Sequence, residues 1–89
     1  MEKLLKKLIS FKTETENPEK IKDALNWIKK QLKELPLFVH DFECEGFPSL
    51  ILTTKKTKKP LLWLQSHIDV VGGPDAIFNA KIKNRRIYG

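Results

Sequence analysis

Apolar positions fall into two different rhythms along the 89 residues. Leu4, Leu5, Leu8, Ile9 and Phe11 recur at steps of three and four, so residues 2–11 are expected to form an amphipathic helix, with Lys3, Lys6 and Lys7 on its other side. A polar break, Thr13-Glu14-Thr15-Glu16-Asn17, follows. Asn17-Pro18 reads as a helix start. Asn can cap free N–H groups, and Pro is tolerated at the first helical position, where its missing N–H has no partner anyway. Glu19 then suits the positive end of the helix dipole. From Pro18 to about Leu35 a second stripe runs through Ile21, Ala24, Leu25, Ile28, Leu32 and Leu35, with Trp27 flanking it, and Pro36 ends the helix.

Beyond Pro36 the rhythm shortens. Residues 37–43 are aromatic and β-branched and predict a strand; Gly46-Phe47-Pro48 breaks it, and residues 49–54 predict a second. After the charged turn Lys55–Pro60 comes Leu61-Leu62-Trp63-Leu64-Gln65-Ser66-His67, apolar on both faces at its start. This pattern predicts a third strand, central and covered by helices on both sides. Residues 71–75 read as a loop, and residues 80–88 alternate around a polar tip like a hairpin turning near Asn84. The order predicts an α/β layered domain, with no internal repeat or low-complexity tract.

Composition narrows the class. Hydrophobic residues at 40% and charged residues at 31% describe a globular chain rather than a disordered one. The net charge of +6 comes mostly from lysines spread over helical and turn-like segments. Only Lys55, Lys56, Lys58 and Lys59 cluster tightly. A basic module binding nucleic acid or an anionic surface is the alternative function that this charge suggests, although stacking aromatics do not interleave with the lysines. The single cysteine, Cys44, excludes an intrachain disulfide and fits a cytoplasmic location. It lies between Glu43 and Glu45, neighbours that disfavour a thiolate. The lysine-interrupted N-terminus has no continuous apolar leader, and Leu61–Leu64 is too short to cross a bilayer, so no membrane association is expected.

Chemistry concentrates at Ser66-His67-Ile68-Asp69-Val70-Val71, between the apolar run and a glycine-rich loop. Ligands of α/β sheets bind at the carboxyl ends of strands. In extended chain, residues two apart face the same side, so His67 and Asp69 can share one pocket while Ile68 points away. A neutral imidazole is a zinc ligand, and a carboxylate accepting its other N–H fixes the tautomer and raises the basicity of the ligating nitrogen. The same spacing also arises at a polar strand end that holds no metal. A Ser66-His67-Asp69 triad is disfavoured, because adjacent strand residues point to opposite faces and triads are assembled from separated segments. No Gly-x-Ser-x-Gly elbow is present, and His40 has no evident partner.

Leu62-Trp63-Leu64-Gln65-Ser66-His67-Ile68-Asp69-Val70-Val71 resembles the strand and His-x-Asp-x-Val motif of the co-catalytic zinc exopeptidases and deacylases. Aminoacylase, acetylornithine deacetylase, succinyl-diaminopimelate desuccinylase, carnosinase-type dipeptidases and glutamate-releasing carboxypeptidases belong to this family. Phe78 and the stretch Lys81–Gly89 resemble the family's following hairpin and the first glycine of its Gly-Arg-Gly-x-x-Asp segment. The first helix, the Phe-Lys-Thr turn and the Asn-Pro-Glu helix start also agree. Gly72-Gly73-Pro74 and Asp75-Ala76-Ile77 depart from the family's loop, which usually carries a proline nearer the motif and often a tryptophan.

The resemblance implies the N-terminal portion of a single catalytic domain built on a helix-covered mixed sheet. The rest of that domain and a lid or dimerisation domain are expected elsewhere. It implies His67 as a ligand to one of two Zn2+ ions (Co2+ or Mn2+ being substitutes) and Asp69 as the catalytic-site aspartate orienting it. The bridging aspartate, the general-base glutamate and the remaining ligands are expected past Gly89. The implied activity is hydrolysis of peptide or N-acyl amide bonds in dipeptides or N-acyl amino acids by metal-activated water. The family allows a homodimer and implies no nucleic-acid partner. Residues 1–89 alone are expected to be inactive.

Overall fold

The computed structural model describes residues 2–56 and 59–89. It is a small domain of helices and antiparallel strand pairs. Helix α1 (Glu2–Ser10) and helix α2 (Pro18–Leu32) precede a hairpin of β1 (Phe38–Cys44) and β2 (Phe47–Thr53), and β3 (Lys81–Lys83) pairs with β4 (Arg86–Tyr88). Among the described residues no helix is long and apolar enough to cross a membrane.

Both helices follow the apolar stripes. Ile21 and Ala24 of α2 are buried, and Leu8, Ile9 and Phe11 at the end of α1 are half-buried. The Phe11 and Trp27 rings meet at 5.8 Å between centroids, tilted by 54°, which joins the end of α1 to α2. Helix α2 stops at Leu32, short of the expected 35, because the chain turns from Lys33 ahead of Pro36. Asn17 holds the N-cap position but makes no side-chain cap bond. Instead its main-chain oxygen receives the Ile21 N–H at 3.4 Å, while its own N–H donates to Glu14 O at 2.9 Å.

The β1–β2 register pairs Cys44 with Phe47 across the two-residue turn Glu45-Gly46, both at positive φ (52° and 85°) as a type I′ turn requires. Strand β2 therefore starts at Phe47, and the expected break at Pro48 does not occur. Two-residue turns are flanked by a hydrogen-bonded pair, so the next pair, Glu43 with Pro48, exchanges no ladder bonds and the missing proline N–H costs nothing there. The second hairpin turns at Asn84 and Arg85, at φ of 50° and 61°, where the alternation placed it.

The third strand does not form. Residues 61–67 make no main-chain hydrogen bond among the described residues. Leu61, Leu62, Trp63 and Leu64 stand bare, with Leu61 fully accessible and Leu64 86% exposed. A two-faced apolar strand needs ladder partners and covering helices, whereas among the described residues β1 and β2 pair only with each other and α2 packs on β2. Among the described residues the strands form two separate two-stranded antiparallel sheets, with one parallel bridge, Glu14 to Val70. Only Thr13, Ile21, Ala24 and Phe78 are buried among the described residues. The radius of gyration, 14.7 Å, exceeds the roughly 12 Å of a close-packed chain of this length.

Candidate functional site

The site begins where α1 ends. Phe11 and Lys12 donate their N–H groups to Leu8 and Ile9 at 3.3 Å, and Lys12 turns the chain through a left-handed φ of 54°. That reversal lays residues 13–15 alongside 68–70. Val70 N–H donates to Thr13 O at 2.8 Å, and Thr15 N–H donates to Val70 O at 2.9 Å, which together make the parallel bridge. The buried Thr13 hydroxyl donates to the Ile68 carbonyl.

This clasp delivers the Thr15 hydroxyl to Asp69, where it donates to Oδ2 at 2.9 Å with Val70 O at 3.3 Å as a weaker acceptor. On the other side of the carboxylate, Oδ1 lies 3.1 Å from His67 Nδ1, and the Asp69 main-chain oxygen lies equally close to that nitrogen. The two side chains therefore face each other. An ionised carboxylate only accepts, so the facing Nδ1 is the donor, and in the neutral ring Nε2 then holds the lone pair. The His67 side chain is 84% exposed, and its Nε2 has no hydrogen-bond partner among the described residues. The Thr15 hydroxyl, followed by the His67 charge and local amide bonding, holds the Asp69 carboxyl below its ordinary pKa.

Loop residues 71–78 flank this pair. A short 3-10 turn, Asp75–Phe78, buries Phe78. Lys12 binds Asp75 and passes over the Phe78 ring at 5.6 Å, with Glu14 Oε1 at 3.9 Å. Hydrogen bonding between them raises the Lys12 pKa and lowers that of Asp75. An apolar groove of about 540 Å³ opens beside His67, lined by Leu5, Leu8, Ile9, Ala24, Ile77 and Phe78.

The other candidates separate from this pair. Ser66 makes no hydrogen bond among the described residues, so no serine triad forms. His40 does have a partner, Thr53 Oγ1, at 3.4 Å from its Nε2; the contact depends on hairpin register, which the sequence alone did not reveal. Lys29 pairs with Asp41 at 3.0 Å. Cys44 is free and exposed. In the lysine cluster, Lys55, Lys56 and Lys59 are exposed and Lys58 lies outside the described residues. No group of three or more His, Cys, Asp or Glu side chains among the described residues could hold a metal ion.

Sequence reasoning took Thr13 and Thr15 into a polar break, with Lys12 and Thr13 in a turn, and assigned none of them to the site. The overlooked signal is the pair of hydroxyls two residues apart, which share a side once the chain is extended. No model of a known protein family matches the chain, and no curated protein matches it either.

Proposed function

We propose that these residues are the N-terminal portion of a metal-dependent hydrolase of the co-catalytic zinc exopeptidase and deacylase type. The observation that carries the reading is the His67–Asp69 pair. Its Nδ1 is engaged by the carboxylate at 3.1 Å, while Nε2 stays exposed beside an apolar groove. This is the orientation in which a histidine ligates zinc through Nε2 with a carboxylate behind it. The donor set fits one ligand and its orienting partner. A zinc site needs three or four ligands, so the others belong to chain outside these residues. The bare run Leu61–Leu64 supports the same reading, since so long an exposed apolar stretch calls for covering elements.

When bound, zinc supplies Lewis acidity and lowers the pKa of water. The chain's own part is to present Nε2, to hold the tautomer through Asp69, and to receive an apolar acyl group or side chain in the groove. The substrates proposed are dipeptides and N-acyl amino acids. The test extends the protein past Gly89 along its own gene and assays it with Zn2+, Co2+ and Mn2+ against both substrate classes. Hydrolysis that is lost in His67→Ala is the expected result, and an extended protein with no amidase activity under any of these metals overturns the proposal. Isothermal titration of residues 1–89 should show weak zinc uptake. Tight stoichiometric binding there would refute the incomplete site.

A further inference from the structure

The Asp69 carboxylate is gripped by both oxygens from opposite directions, and only one of the two grips comes from its own segment. Residues 61–67 make no main-chain hydrogen bond among the described residues, so the run leading into the histidine adds no strand ladder to hold it. A carboxylate held at Oδ1 alone rotates about its Cβ–Cγ bond, which is a broad, soft torsion. A donor on Oδ2 fixes the carboxylate plane. Thr15 is that donor. It is itself fixed, because its main-chain N–H bonds Val70 O at 2.9 Å and its neighbour Glu14 stands at the centre of the parallel bridge.

We infer that Thr15 is the positioning residue of the His67–Asp69 pair. Its hydroxyl locks the Asp69 carboxylate so that Oδ1 holds His67 in the Nδ1–H tautomer with Nε2 open for a ligand. The metal-ligating sense of this inference rests on the proposed hydrolase reading, while the tautomer itself does not. The left-handed turn at Lys12 and the Thr13 hydroxyl on Ile68 O make the delivery possible, since together they set the register of 13–15 against 68–70. Carboxylates behind ligating histidines are a general device; here a hydroxyl on a sequence-distant segment orients the carboxylate in turn.

Long-range 1H–15N spectra of the His67 ring at pH 8 test this directly, with a His40→Gln variant identifying the His67 signals. The wild-type chain is expected to show protonated Nδ1 and unprotonated Nε2. Thr15→Val should lower the ratio of the Nδ1–H to the Nε2–H tautomer about two- to tenfold, the range that one ordinary hydrogen bond commands. Thr15→Ser, which keeps the hydroxyl, should restore it. A wild-type ring protonated on Nε2, a Thr15→Val spectrum equal to wild type, or a failure of Thr15→Ser to restore it overturns the inference. If Thr15→Val does not fold by its amide spectrum, the wild-type Thr15 hydroxyl proton decides. A slowly exchanging signal close to Asp69 is expected, and its absence refutes the role. In a protein extended past Gly89, Thr15→Val should weaken zinc affinity about tenfold or more and Thr15→Ser should not. Absence of zinc binding in the extended wild type would sink the hydrolase reading and leave the tautomer result standing.

Discussion

Replacing Thr13 by Val removes one hydroxyl from one of the four buried residues described and leaves the backbone register untouched. Thr13 is 5% exposed and its hydroxyl donates to the Ile68 carbonyl, while its main-chain oxygen takes the Val70 N–H and is unaffected. Deleting one partner of such a bond costs about 1–3 kcal/mol when the orphaned group is fully desolvated. Ile68 is only half-buried, so water can reach part of its carbonyl and the cost falls to the lower end, about 1 kcal/mol. For a chain of this size that lowers the melting temperature by roughly 4–8 °C. Urea unfolding followed by tryptophan fluorescence measures it. Trp27 meets the Phe11 ring, two residues from Thr13, and reports the transition, whereas Trp63 is already 58% exposed and changes little. The midpoint should fall with the slope unchanged. A shift below about 0.3 kcal/mol would show that the hydroxyl contributes nothing net, and a changed slope would show that the mutation acts on the unfolded chain.

Asp69 and Asp75 both have lowered pKa values in the folded chain, so the stability they contribute is present above the unfolded carboxyl range near 4 and is lost as pH falls through the lower folded values; Asp75→Asn should make acid unfolding, read by circular dichroism, less steep. Lys12 is raised, so its contribution is present below about 10.5 and disappears as pH climbs through the higher folded value; Lys12→Met should flatten the alkaline limb of the same profile. Gly46→Ala meets no atom within 4 Å, yet sits at φ +85°. It should destabilise the chain by roughly 1–2 kcal/mol in a denaturant titration through backbone conformation alone. Leu62→Lys together with Leu64→Lys should leave the midpoint of residues 1–89 within about 0.5 kcal/mol and raise solubility in a precipitation assay, because both side chains are exposed; a large destabilisation would mean that they pack.

The parts legible in the sequence are those whose causes are local. Asn17-Pro18 announces α2, and a polar tip at Asn84-Arg85 announces the short hairpin, since caps and turns are decided by adjacent residues. The closeness of His67 and Asp69 is legible for the same reason: two residues apart in extended chain suffices. Run 61–67 was misread because an apolar segment declares what it prefers to bury but not whether a partner strand exists. Pro48 was misread because its harmlessness depends on which pair of the ladder it occupies. Thr13 and Thr15 were invisible because their acceptors lie more than fifty positions away in sequence, at Ile68 and Asp69.

That separation also orders the assembly of the molecule. Bringing Thr13 to Ile68 closes a loop spanning 55 positions, which costs roughly 2 kcal/mol more chain entropy than closing a four-residue hairpin turn. The hairpin of β1 and β2 lies wholly inside that loop and forms in microseconds, shortening the path left to close. The grip of the Thr15 hydroxyl on the Asp69 carboxylate, unlike the local pairing of that carboxylate with His67, is therefore expected to form after the helices and the hairpin.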